Sequence, residues 1–157
     1  DKGTAFTDVT ADAGIRSIGE RDALLADLDG DGTTDLVQLS PEQVVVSLAR
    51  DGRFERAWDQ GVDKGTALAA GDADGDGDID LYVLQGKSDG GANDIILRNE
   101  GQGTSFETVE VPAVRGGSED DVIALDYDHD GRTDFLALNG RNSVRGPVQL
   151  VTLAERD

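Results

Sequence analysis

Twelve aspartates fall into three groups with one internal spacing, Asp-x-Asp-x-Asp-Gly-x-x-Asp. They are Asp27, Asp29, Asp31 and Asp35; Asp72, Asp74, Asp76 and Asp80; and Asp126, Asp128, Asp130 and Asp134. Four carboxylates this close repel one another unless a cation sits among them. A hard divalent ion such as Ca²⁺ takes about six to eight oxygen ligands, which is the chemistry these residues offer. Position 6 is glycine each time (Gly32, Gly77, Gly131), where a loop wrapping an ion must turn sharply. Positions 1, 3 and 5 are expected to point inward, position 7 to lend its backbone carbonyl, and position 9 to close the shell. The expected ligand sets are thus Asp27, Asp29, Asp31, the Thr33 carbonyl and Asp35; Asp72, Asp74, Asp76, the Asp78 carbonyl and Asp80; and Asp126, Asp128, Asp130, the Arg132 carbonyl and Asp134. Water would complete each shell. The side chain at position 7 varies, as a purely backbone ligand permits. Mg²⁺ ranks second, because it demands a stricter octahedron.

Two other readings of the pattern are weaker. An EF-hand needs a bidentate Glu at position 12 and flanking helices. Position 12 is Gln38, Val83 and Ala137, and the flanks do not read as helices. Plain acidic turns would explain one copy, since Asp and Gly are common turn formers. They do not explain three copies at one place in a larger repeat.

That larger repeat positions the loops. Each is preceded by a short apolar run: 23–26, 67–70 and 122–125. Each is followed by a second (36–39, 81–84, 135–138) and later by a third (44–48, 95–97, 148–153). The runs are short, rich in β-branched residues and bounded by Gly, Asp, Asn and Pro, which reads as strand. A fourth element, Phe-x-x-(Val/Ala), recurs at Phe6, Phe54 and Phe106. The unit is therefore four strands, a to d, with the Asp loop joining a to b. The loops begin at 27, 72 and 126, spacings of 45 and 54. Four-stranded antiparallel units at about 40–50-residue intervals are the signature of β-propeller blades.

The predicted fold is all-β: a single propeller module over 1–157, carrying three blades' worth of strands. Its parts are an N-terminal outer strand at 4–10, a blade at 21–58, a blade at 65–111 and an incomplete blade at 120–153. The N-terminal strand is out of phase and would serve as outer strand for a C-terminal blade, through a turn joining Leu153–Asp157 to Asp1–Phe6. Propellers typically have about four to eight blades, so three leave edges and faces to be covered. Either a second copy closes a six-bladed ring head to tail, a homodimer, or the chain is part of a longer propeller.

Composition narrows the partners. The 157 residues carry a formal charge of −19. Three Ca²⁺ would leave −13, which argues against nucleic acid or an anionic membrane surface as partner. With no cysteine there is no disulfide, thiolate metal site or Cys nucleophile. No apolar run is long enough for a membrane-inserted helix. The absence of Met, even at position 1, fits a processed or trimmed chain.

Candidates for catalysis are sparse. His129, the one histidine, sits between two loop aspartates, where a solvated side chain is the simpler reading. Without a partner His no hydrolytic triad forms. Trp58 and Tyr82 could stack on a sugar but fit better as partly buried blade residues. Glu119, Asp120 and Asp121 read as a solvated acidic turn. The alternative function, a calcium-dependent carbohydrate-active enzyme of lyase type, would need a base from Lys64, Lys87, Tyr82, Tyr127 or His129, and no spacing groups these.

The segment Gly65-Thr66-Ala67-Leu68-Ala69-Ala70-Gly71-Asp72, continued through Asp80-Leu81-Tyr82-Val83, resembles the FG-GAP/VCBS repeat of integrin α-subunit propellers and many bacterial surface proteins. The opening Phe6-Thr7-Asp8-Val9-Thr10-Ala11-Asp12-Ala13-Gly14-Ile15 resembles the lead-in to such repeats in ASPIC/UnbV-type propellers. The resemblance implies a Ca²⁺-stabilised propeller that is secreted, on the cell surface or periplasmic, acts in adhesion, and binds a protein or glycan ligand. The Phe-Gly pair of the repeat name is missing before the loops.

Overall fold

Strands account for all the regular structure in the computed structural model, which describes residues 5–86, 93–112, 119–139 and 148–153. Among the described residues, eleven strands form three antiparallel sheets. The first holds β1 (Asp22–Ala26), β2 (Asp35–Leu39), β3 (Gln43–Arg50) and β4 (Arg53–Gly61), in that order. The second holds β5 (Gly65–Gly71), β6 (Asp80–Gln85), β7 (Ile95–Asn99) and β8 (Phe106–Glu110). The third holds β9 (Glu119–Leu125), β10 (Asp134–Asn139) and β11 (Val148–Val151), in the order β11-β10-β9. These are propeller-like blades in an open arc rather than a closed ring. The innermost strand β5 lies beside both β1 and β9.

The register shows why the second strand of each blade reads as an unbroken apolar run. In β6, Leu81 and Val83 face one core, with Val37, Leu39, Val44, Val46 and Leu48 of the first blade. Tyr82 and Leu84 face the other, with Val122, Phe135 and Ala137 of the third. All six residues of β6 are buried. A sheet covered on both faces loses the in–out alternation of a half-exposed one. The two cores are the two spaces between blades. Polar bonds cross them as well: the Leu68 N–H donates to Asp22 Oδ2 at 2.8 Å, tying β5 to β1.

The end blades differ in what covers them. The first blade's outer face carries Gln38 and Ser47 where the second carries Val83 and Leu97. An arm from the N-terminus lies over it. Gln38 Nε2 donates to the Arg16 carbonyl (3.1 Å) and Glu20 Oε1 (2.8 Å), and the Phe54 N–H donates to the Ala13 carbonyl (2.8 Å). The third blade's outer face is largely apolar, with Asp121 paired opposite Leu138 on it. Register places Ile123, Leu136, Leu138, Val148 and Leu150 on it, with Ile123 47% and Val148 59% exposed.

Two expectations are corrected. Phe6–Val9 is not a strand: residues 5–9 pair with no sheet, Phe6 is 97% exposed, and a turn follows in which the Ala13 N–H donates to the Val9 carbonyl at 2.8 Å. A strand needs a ladder partner, and the third sheet ends at β11 without taking this segment. Residues 1–4 and 154–157 of the expected joining turn lie outside the described residues. Glu119–Asp121 begins β9 rather than forming a turn, because Glu119 pairs with Asn139 and Asp121 with Leu138.

Candidate metal centres

Each Asp loop joins the first two strands of its blade and is built by the same backbone bonds. The position-1 carboxylate accepts from the position-6 glycine N–H: Asp27 from Gly32 (2.9 Å), Asp72 from Gly77 (3.0 Å), Asp126 from Gly131 (3.2 Å). Position 3 accepts from the N–H of position 5 at 3.2 Å in all three. Position 5 accepts from the N–H of position 7 at 2.8, 2.9 and 2.8 Å. Position 9 accepts from the N–H of position 2: Asp35 from Leu28 (2.8 Å), Asp80 from Ala73 (2.9 Å), Asp134 from Tyr127 (2.9 Å). The curl that these bonds close needs left-handed residues. Gly32, Gly77 and Gly131 have φ of +84°, +97° and +90°. At position 4, Gly30 and Gly75 are matched by His129 at φ +62°, so the histidine occupies a slot built for glycine.

In each loop the carboxylates of positions 1, 3 and 9 converge. Asp27, Asp29 and Asp35 offer oxygens within 4.8 Å of one another, as do Asp72, Asp74 and Asp80, and Asp126, Asp128 and Asp134. Each cluster could hold a metal ion. Asp31, Asp76 and Asp130 are not in these clusters, and Thr33, Asp78 and Arg132 stand at the loop exits. The Thr33 hydroxyl donates to Asp31 Oδ1 at 2.5 Å. With the Thr33 N–H it holds that carboxyl below its ordinary value.

The residues fit a cation. Asp27 Oδ1 is the one buried side-chain polar atom, among the described residues, with no hydrogen-bond partner. An anionic oxygen buried without a donor is costly, and a coordinated cation removes that cost. Burial pushes the Asp80 carboxyl up to about 6, against the Asn99 and Ala73 N–H bonds that favour ionisation, and nearby Asp74 and Asp76 add like charge. Ca²⁺ suits an all-oxygen set of this kind.

Sequence reasoning missed the cationic and amide groups that hold the loops. In the first two blades the third strand returns its C-terminal end to the loop. Arg50 pairs there with Asp29 and, at 3.1 Å, with Asp31. Arg98 Nε donates to Asp74 Oδ2 at 2.7 Å, and Arg98 also reaches Glu107 at 2.8 Å. The Ala49 and Asn99 N–H groups donate to the second oxygens of Asp35 and Asp80, both at 2.8 Å. A basic residue at the end of a strand facing an acidic loop was the available signal for the arginines.

The other candidates scatter. Tyr82 is fully buried, 5.1 Å centroid to centroid from Phe135, and its hydroxyl donates to Asp94 Oδ2 at 3.0 Å. Trp58 is half-buried and packs on Phe106 at 4.5 Å. Lys64 stands in the turn between the first two blades at φ +56°. Tyr127 is 63% exposed on the third loop, which it shares with His129. Lys87 lies outside the described residues.

The fold and loops define a class: a blade-repeat protein whose first turn in every blade is a three-carboxylate cluster. The FG-GAP-like repeat family matches at residues 27–83 and 72–137. The chain belongs to that family. No curated protein matches it significantly.

Proposed function

We propose that the three loops bind Ca²⁺, with Mg²⁺ as the weaker competitor, and that the chain is a calcium-stabilised binding or structural module. The observation that carries this is the orphaned Asp27 Oδ1 in a cluster whose architecture recurs in all three blades. The position-5 carboxylates and position-7 carbonyls join the shell on loading. The compartment is extracellular, cell-surface or periplasmic, where millimolar Ca²⁺ is at hand, and the ligand is a protein or glycan. We infer recognition rather than catalysis. Of the side chains that a lyase would need, Tyr82 is in the core with its hydroxyl engaged.

The apolar face of the third blade supports a further blade as its occupant. Leu136 and Leu138 stand where Val37 and Leu39, or Tyr82 and Leu84, pack against the next sheet. A second copy or the rest of a longer propeller would supply that blade. Thermal unfolding tests the calcium reading. A ligand that binds only the folded state at about a hundred times its Kd adds about 2.7 kcal/mol. Tm should therefore rise by several degrees between chelator and millimolar Ca²⁺, and an unmoved Tm sinks the proposal.

A further inference from the structure

The three loops form one hydrogen-bonded chain. Asn99, buried to 1% exposure at the end of β7, makes the first link. Its backbone N–H donates to Asp80 Oδ1 of the second loop at 2.8 Å. Its side-chain Nδ2 donates to the Leu28 carbonyl of the first loop, also at 2.8 Å. Leu28 lies between Asp27 and Asp29, and its own N–H is held by Asp35 at 2.8 Å. The Asn99 Oδ1 accepts from the Gly103 N–H at 3.0 Å, and the turn so fixed packs on Leu28, since a Cβ at Gly103 would stand 3.2 Å from Leu28 Cβ. The second link is the Thr133 N–H, which donates to the Asp72 carbonyl at 2.6 Å. Beside it the Arg132 stem lies over Gly75, with Cγ 3.2 Å from where a Cβ would be.

We propose that Asn99 is a positioning residue coupling the first and second cation sites, so that an ion in one favours an ion in the other, with Thr133 extending the coupling to the third. Ordering one loop fixes one end of the Asn99 bridge and lowers the conformational cost of ordering the next. The effect must be reciprocal. The first blade has Ala49 at the position of Asn99, so its backbone N–H reaches Asp35 but no side chain reaches onward. The third blade has Leu153 there. The bridge belongs to the middle blade, which alone has a loop on either side.

The proposal rests on the calcium reading, and calorimetric Ca²⁺ titration separates the two. Three proteins are compared, all with the third loop disabled by Asp126→Asn and Asp128→Asn. One keeps both remaining sites, one also carries Asp27→Asn and Asp29→Asn, and one also carries Asp72→Asn and Asp74→Asn. The joint constant for two ions should exceed the product of the single-site constants by about fivefold or more. Asn99→Ala should bring the ratio close to one while each single-site constant holds within about twofold, because the backbone N–H to Asp80 survives the change. A purely structural role would weaken the single sites and leave the ratio standing. A ratio of one in the Asn99 background overturns the coupling, and that comparison stands even where Asn99→Ala does not fold. Absence of Ca²⁺ binding at any loop overturns the calcium reading with it.

Discussion

The second and third loops share a pattern and differ in support. Asp80 is held through both oxygens, by Ala73 and by Asn99. Among the described residues, Asp134 takes one such bond, from Tyr127. Asp72 and Asp74 are partly covered while Asp126 and Asp128 are exposed. Arg98 reaches the second loop from a neighbouring strand, whereas the third pairs Arg132 with Asp130 inside itself. The second also has glycine at position 4 where the third strains a histidine. A nine-residue motif thus names the carboxylates, while the strands around it set how firmly they are held.

The hardest blow to this comparison would come at position 9. Asp80→Ala leaves two buried N–H groups without an acceptor, and each such group costs about 1–3 kcal/mol. Urea unfolding in chelator should show a loss of about 2–5 kcal/mol. Asp134→Ala should lose roughly half as much, since it strands one donor. Equal losses would mean that the support beneath the two loops is not different.

The motif and its blade periodicity were legible because an ion-binding curl uses fixed offsets and a doubly covered strand has an unbroken apolar run. The positive φ at Gly32, Gly77 and Gly131 followed from the same offsets. What stayed hidden was non-local. Asn99 is 71 residues from Leu28, and nothing in either neighbourhood announces their bond. The error at Phe6–Val9 has the same root: its spacing matches Phe54 and Phe106, but a strand is defined by its partner, and a repeat pattern does not contain one. Glu119–Asp121 was misread because acidic residues suit a turn, yet the hydrogen bonds of the ladder come from the backbone.

Position 4 sharpens the comparison on a smaller scale. His129 pays for a left-handed conformation that costs a side-chain-bearing residue about 1–2 kcal/mol. His129→Gly should recover part of this, about 0.5–1 kcal/mol after the entropy that glycine loses on folding. At position 6 of the second loop, where every copy has glycine, Gly77→Ala at φ +97° should cost about 1–2 kcal/mol. There is open space around Gly77, so the penalty is conformational rather than steric. Paired melts in chelator check both signs, and a His129→Gly protein less stable than its parent would show that the imidazole contributes more than its backbone costs.

The smallest effect concerns the arginines, and it has two signs. Arg98 lies against Asp74 with Glu107 on its other side, and its side chain is about one-fifth exposed. In the ion-free protein it offsets part of the loop's repulsion, so Arg98→Gln in chelator should cost up to about 1 kcal/mol. In calcium the same guanidinium competes with the ion for the Asp74 carboxylate. Removing it should tighten Ca²⁺ at the second loop by about two- to threefold and leave the third, whose arginine lies within its own loop, unchanged. Titration of proteins retaining one loop each separates these outcomes. If Arg98→Gln instead weakens Ca²⁺ binding, the arginine is orienting Asp74 for the ion, and the supported loop gains from its neighbouring strand even when loaded.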